Sequence, residues 1–421
     1  MSRTNRPRRA RGRSRAGERF EAEVGPVAHG GHCVVRLPEP EARVVFVRHA
    51  LPGERVVVEI TEGTDGDRFW RGDAVSVVQA SADRVQAACP YAGPALCGGC
   101  DFQHVTLPAQ RDLKASVVRE QLVRLGRLDP DSDLVAGLRV EAVPVPGRDD
   151  DGLRWRTRQR YAVTPDGRPA MRVHRSHELV AMDDCLIAAE GARPADSLVE
   201  EGARPSLVEE GARPSLVEEG ALRPSRDPVT REVTASGQTH AFSVARDGFW
   251  QVHPEAPRVL VEAVLYLLAP APGERALDLY AGVGLFARFV GEATGARVVA
   301  VEADRAACQH ARANLAALNG AAVEHGPTDR VLRSGLDEPF DLVVLDPPRE
   351  GAKRTVVEQV VDRRPRAVAY VACDPAAFGR DVAIFAEHGY ALTAIRAFDL
   401  FPMTHHVECV ALIEQQGSDV R

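Results

Sequence analysis

The 421-residue chain has no apolar run long enough to cross a membrane and no hydrophobic segment near its first residue. The first absence argues against a helical membrane protein and the second against a secretory signal, so a cytoplasmic protein without membrane partners is expected. Its eight cysteines then sit in a reducing compartment, where they point to metal binding or catalysis and not to disulfides. Acid is missing from residues 1–16, which carry seven arginines, so the remaining body is more acidic than the overall charge of −7. An acidic body disfavours broad binding of phosphate backbones, and any nucleic-acid site must be local. Residues 1–16 read as a disordered basic tail, serving either an auxiliary nucleic-acid contact or solubility. A length of 421 residues predicts two or three domains, each with its own core.

What is present begins with β signal. Apolar and polar residues alternate through 20–27, 33–37, 44–47, 55–60 and 70–78, separated by Gly30-Gly31, Pro52-Gly53 and Asp65-Gly66. Five short strands in so little chain predict a small closed barrel of OB-like type, a fold that often binds single-stranded nucleic acid. Cys89, Cys97 and Cys100 follow in a loop rich in Gly and Pro, which can fold around a metal centre. Cys185 is the best fourth ligand, since Cys308 and Cys409 lie in helix-like and strand-like apolar contexts. Four thiolates suit zinc or an iron–sulfur cluster, and spacing does not choose between them. Residues 110–125 read as an amphipathic helix. Over 153–181 the alternation returns with basic residues interleaved, and Arg154, Arg156, Arg158 and Arg160 on one strand face are a candidate RNA contact. A nine-residue unit then repeats three times over 197–224, too short to bury a core. It predicts a disordered loop insertion, bounded at 190–226.

The last third reads as α/β. Residues 276–280 are a strand, Gly282-Val-Gly284 a turn, and Ala287 onward a helix; the next strand ends in Glu302. Strand, glycine turn, helix and a terminal acid make a Rossmann-type nucleoside site, with either NAD or S-adenosylmethionine as ligand. Apolar runs at 340–345 and 366–371 lead into Asp346-Pro-Pro-Arg349 and Cys373-Asp-Pro375. Proline ends both strands, which leaves a carboxylate and a thiol at the sheet edge where such folds bind ligands. Glu408 follows downstream. A thiol, a carboxylate and a strand-end Asp-Pro-Pro loop predict covalent chemistry.

These motifs, with Pro52-Gly-Glu54, Cys97-Gly-Gly-Cys100, Phe249-Trp-Gln-Val252 and Phe401-Pro402, occur in an order that resembles the class I RNA uracil-5-methyltransferases. The likeness is closest to the iron–sulfur-containing 23S ribosomal RNA branch with a TRAM barrel. It runs from about Gly17 to Ile413, broken only by the repeat. The resemblance implies a TRAM barrel over 17–85, a small central β-rich iron–sulfur domain over 86–245 and a methyltransferase domain over 246–421. It implies Cys373 as nucleophile and Glu408 as general base. Gln251, Tyr280, Gly282, Glu302 and Asp346 would bind S-adenosylmethionine, and Cys89, Cys97, Cys100 and Cys185 would hold a [4Fe-4S] cluster. The expected substrate is ribosomal or transfer RNA, and the expected state a monomer. His253, Leu285 and Asp374 stand where the family usually has Asn. Asp374 matters most, because a carboxylate beside a thiol opposes its ionisation. Either another group neutralises it or activity is lowered. A non-catalytic RNA-binding paralogue would have lost the thiol or the base, and an NAD-linked oxidoreductase leaves both strand-end motifs without a role.

Overall fold

The computed structural model describes residues 12–38, 41–194 and 228–416. The repeat at 197–224 lies outside the described residues, as does the basic stretch before Gly12. The rest of the expected tail docks on the barrel: Arg15 N donates to Gly63 O at 3.0 Å, and the Arg15 guanidinium reaches Asp65 and Glu18.

Five strands, β1 (Arg19–Val27), β2 (Cys33–Arg36), β3 (Val44–Arg48), β4 (Arg55–Glu62) and β5 (Phe69–Gln79), close into a barrel in the order β1-β2-β3-β5-β4. Period-two alternation turns Val35, Val45, Val47, Val56, Val58 and Ile60 inward, all at most 1% exposed. Closure leaves no free strand edge, which is why so small a unit is stable beside a larger sheet. Buried Glu54 fixes the barrel's exit. It accepts hydrogen bonds from Leu51 N, Ser81 N and the Arg84 guanidinium.

Helix α1 (Leu107–Arg124) starts three residues before the expected helix, with Pro108 in its first turn where no amide partner is lost. Val117 and Leu113 pack on the barrel core, while Ala115, Val118 and Leu122 pack on the main sheet. A helix buried on opposite sides is a wedge between two cores, so its sequence has no single apolar stripe. After α2 (Asp133–Ala136), β6 (Val140–Ala142) joins the edge of the main sheet. β7 (Ala162–Val163), β8 (Pro169–Arg172) and β9 (Leu179–Ala181) form a separate three-stranded sheet. The hairpin β10 (Val229–Ala235) and β11 (Gln238–Val244) sends Val233, Phe242 and Val244 into the main core. Residues 107–142 and 229–244, expected within a central domain, therefore pack with the large sheet.

That sheet contains β12 (Ala276–Leu279), β13 (Val298–Glu302), β14 (Ala321–His325), β15 (Leu342–Leu345), β16 (Ala367–Ala372), β17 (Tyr390–Asp399) and β18 (Glu408–Gln415). Its order is β14-β13-β12-β15-β16-β18-β17-β6, parallel from β14 to β16, with β18 antiparallel to both its neighbours. Helices α3 (Ala256–Leu268), α4 (Leu285–Thr294), α5 (Arg305–Leu315), α6 (Thr328–Ser334), α7 (Lys353–Asp362) and α8 (Pro375–Glu387) cover its faces. The central strands are apolar on both sides, as a sheet covered by helices requires, and β15 and β16 are buried at every position. On α8, Phe378 and Phe385 are fully buried, each contributing about 1.5–3 kcal/mol of transfer free energy. No helix among the described residues is long and apolar enough to cross a membrane.

Candidate active site

The carboxyl ends of the parallel strands converge on one edge. At the end of β12 the chain turns through Tyr280 (φ 64°), Gly282 (φ 56°) and Gly284 (φ 86°). At Gly284 a side chain would combine left-handed strain with a Cβ placed 3.2 Å from Leu315, so the turn into α4 needs glycine there. Glu302, ending β13, accepts hydrogen bonds from Gly282 N at 2.8 Å and Asp304 N at 2.6 Å. Beneath the turn, Asp278 accepts from Ala287 N at 2.8 Å through Oδ2, while its buried Oδ1 has no partner among the described residues. Burial raises Asp278 to about 8. Burial, then the Glu302 charge, raises Asp346 to about 7. A cation bound beside these carboxylates would favour their charged forms and lower both values. Tyr280 stands at the strand end, half-buried, its hydroxyl pushed up to about 12 by burial. Gln251 is half-buried in the loop before α3, a loop that Thr157 N holds by donating to Val252 O at 2.8 Å.

The second half of the site follows from strand register. Ala372 on β16 pairs with Cys409 on antiparallel β18, and Phe398 on β17 pairs with Glu408. One step further along the ladder, Cys373 leaves β16 where Glu408 enters β18, so thiol and carboxylate share one edge. Asp346, one residue past β15, completes the group. Burial, then Glu408 and Asp346, push the Cys373 thiol up to about 12, with Arg349 opposing them. Burial, then Asp346, lift Glu408 well above the ordinary carboxylate range, again against Arg349. The carboxylate that acts most strongly on the thiol is therefore Glu408, and Asp374 contributes less. Asp374 itself is paired: its Oδ2 lies 3.1 Å from His29 Nε2, and its Oδ1 accepts from Ala377 N at 2.8 Å. The cleft over Cys373 is lined by Arg349, Asp374, His405 and His406, and also by His29 and Gly31 of the barrel. Gly31 (φ 79°) allows that approach, since a Cβ there would fall 2.6 Å from the Cβ of His405. Sequence reasoning missed His29 and gave Arg349 no role; only Arg349, inside the Asp-Pro-Pro-Arg motif, carried a local signal.

Cys89, Cys97, Cys100 and Cys185 are all free thiols, the first three in one loop and Cys185 in the segment after β9. Burial first, then the neighbouring thiols with Cys185 the largest of them, raises Cys100 well above the ordinary thiol range, against a Gln103 hydrogen bond. Gly99 N donates to Cys97 Sγ at 3.4 Å and Gln103 Nε2 to Cys100 Sγ at 3.6 Å, which favours thiolates. All four sulfurs are half-buried. The expected metal site is not formed in the structure, since no group of three or more ligands for a metal ion occurs among the described residues. The loop also braces the catalytic edge, since Asp101 N donates to Met403 O at 2.9 Å and His405 N to Asp101 Oδ2 at 3.1 Å.

The strand face expected to align Arg154, Arg156, Arg158 and Arg160 does not form, and Arg160 is left exposed. Residues 153–161 form no strand. Arg154 pairs with Asp184 and donates to Cys185 O at 3.0 Å, Arg156 Nε donates to Arg158 O at 3.1 Å, and Arg158 donates to Gly248 O. These guanidiniums are spent on holding irregular backbone.

A half-parallel sheet with an antiparallel β18, an acid-lined glycine turn and a thiol–carboxylate edge define a class I methyltransferase. Family models match as TRAM domain over residues 13–75, tRNA (Uracil-5-)-methyltransferase over 335–416 and Conserved hypothetical protein 95 over 254–373. An uncharacterized RNA methyltransferase of Streptomyces avermitilis is 45% identical, with 94% of this chain and 98% of that protein covered. A 23S rRNA (uracil(1939)-C(5))-methyltransferase of Halomonas elongata is 32% identical, with 95% and 90% covered. The crystal structure of Pyrococcus abyssi tRNA (uracil-54, C5)-methyltransferase with S-adenosyl-L-homocysteine has the same fold, with TM-score 0.64, 21% identity, and 94% and 100% of the two chains covered. The chain belongs to the S-adenosylmethionine-dependent RNA uracil-5-methyltransferases that carry a TRAM domain.

Proposed function

We propose that the protein methylates carbon 5 of one uridine in 23S ribosomal RNA, through a covalent bond between Cys373 Sγ and carbon 6 of the uracil. The observation that carries this reading is the register that sets Cys373 and Glu408 at one sheet edge beside Asp346 and Arg349. Ribosomal RNA is favoured over transfer RNA because relatives named for the 23S substrate match nearly the whole chain.

Carbon 5 of uracil is a poor nucleophile. When the Cys373 thiolate adds to carbon 6, the electron pair of the double bond moves toward oxygen 4, and the resulting enolate makes carbon 5 nucleophilic. S-adenosylmethionine, when bound, supplies an electrophilic methyl group, and Gly282, Tyr280, Glu302, Asp346 and Gln251 are the residues we assign to hold it. Glu408, buried and basic for a carboxylate, then takes the carbon 5 proton; the C–H pair restores the ring double bond and Cys373 leaves as thiolate. Arg349, the cation that opposes the raised thiol, favours the charged form needed for addition. The target base must leave any helical stack to reach this edge. Mapping 5-methyluridine in ribosomal and transfer RNA from a deletion strain tests the function. Loss of one 23S site is expected, and loss confined to transfer RNA, or no loss, would refute the assignment.

We assign Cys89, Cys97, Cys100 and Cys185 to a [4Fe-4S] cluster, where four thiolates would bind iron and brace the loop against residues 401–406. Anaerobically purified protein is expected to be brown with about four irons per chain. Stoichiometric zinc without iron would exclude the cluster.

A further inference from the structure

The cleft over Cys373 has a wall that the catalytic sheet does not supply. The β1–β2 turn of the barrel is closed by Ala28 N donating to His32 O at 2.7 Å and Gly31 N donating to Ala28 O at 3.1 Å. It carries His29 to within 3.1 Å of Asp374, a residue 345 positions away and next to the thiol. Asp374 divides its two oxygens between that imidazole and the amino end of α8, which it caps through Ala377 N. Glu408, Asp346 and Asp374 oppose the thiolate and Arg349 favours it, while the imidazoles of His405 and His406 also line the cleft. One guanidinium facing three carboxylates leaves the thiolate opposed, and a hydrogen-bonded partner on any carboxylate relieves this. Glu408 and Asp346 are assigned direct roles, so Asp374 is the carboxylate whose charge a hydrogen bond can offset without loss. His29 stands where it does so.

We propose that His29 is a positioning residue of the methylation site: it draws the Asp374 charge away from Cys373 and ties the barrel turn to α8, so that the nucleophile is fully reactive only with the barrel seated. This rests on Cys373 being the nucleophile. The pair acts through the thiol and does not touch the reacting carbon.

Iodoacetamide reacts with thiolate and not thiol, so its rate at Cys373 reports the charge around the sulfur. Peptide mass spectrometry resolves Cys373 from the other cysteines in the full-length protein, from about pH 6 to about pH 10. His29→Ala is expected to slow alkylation about three- to tenfold near neutrality and to move its pH profile upward. Asp374→Asn removes the charge and keeps a good helix cap, so His29→Ala in that background should have no further effect. His29→Gln, which keeps a side-chain N–H donor, should stay near wild type. The proposal fails if His29→Ala matches wild type across the pH range, if it slows the Asp374→Asn protein equally, or if His29→Gln is as slow as His29→Ala. Methylation of RNA is assayed in parallel. Wild-type protein that methylates no uridine overturns the proposed function, while the alkylation series still judges His29.

Discussion

Glu408→Gln is expected to leave methylated RNA covalently bonded to the protein, as a band that survives denaturing electrophoresis, and Cys373→Ala is expected to leave none. The reason lies in the order of bonds. Addition of Cys373 to carbon 6 and the methyl transfer that follows do not consume the base; release does. Glutamine at 408 cannot take the carbon 5 proton, so the adduct stalls after methylation and turnover should fall about 10²–10⁴-fold. Electrostatics push the same way, since Glu408 is the charged neighbour that most strongly raises the Cys373 thiol. Replacing it with a neutral amide favours thiolate and hence adduct. Cys373→Ala should lose turnover by on the order of 10⁴–10⁶, bind RNA and cofactor, and give no band alone or combined with Glu408→Gln. Normal turnover by Glu408→Gln would move the base to another residue, with Asp346, Asp374 and His406 the groups in reach. Methylation by Cys373→Ala would end the covalent mechanism.

Lys114→Ala should cost about 3–5 kcal/mol of stability, the range found when one partner of a buried ion pair is removed. Lys114 Nζ lies 2.6 Å from Asp399 Oδ1 and 3.0 Å from Phe401 O, and the two side chains are 0% and 2% exposed. Burial pulls the lysine below its ordinary value and Asp399 pulls it back. Without the ammonium, Asp399 is left charged in a dry contact between α1 and the end of β17. The damage should reach the site, because Phe398, beside Asp399, is the register partner of Glu408. Lys114→Met with Asp399→Leu should recover much of the loss, since apolar groups of similar volume replace such pairs at little cost. Urea midpoints of the single and double variants check this. A loss under about 1 kcal/mol for Lys114→Ala would mean the pair behaves as an exposed one.

Much of the catalytic half was legible in the chain because its signals are local. An apolar run closed by Asp-Pro-Pro or Cys-Asp-Pro states that a strand ends there, and β15 and β16 end within a residue of where those prolines imply. A glycine turn after a strand, with an acid ending the next, describes a nucleoside site from its own spacing. The five barrel strands were legible for the same reason, because alternation and turn residues are read within a few positions.

What only the tertiary structure decided are relations between segments far apart. α1 reads as a one-sided helix until both neighbours are present, because burial on two faces depends on what docks against each. The arginines at 154–158 alternate as a strand face would, yet Asp184, Cys185 O and Gly248 O from distant segments take Arg154 and Arg158 as partners. Asp374 looked like an uncompensated charge in sequence. Its partner His29 lies across the chain in a barrel turn, and no local pattern records an approach made possible by the closure of one fold against the edge of another. The chain by itself therefore determined which residues end the strands and turns of the site, through short-range backbone and patterning rules. The packing of barrel, wedge helix and sheet decided their charges and neighbours, because electrostatic and steric partners depend on distance in space and not along the chain.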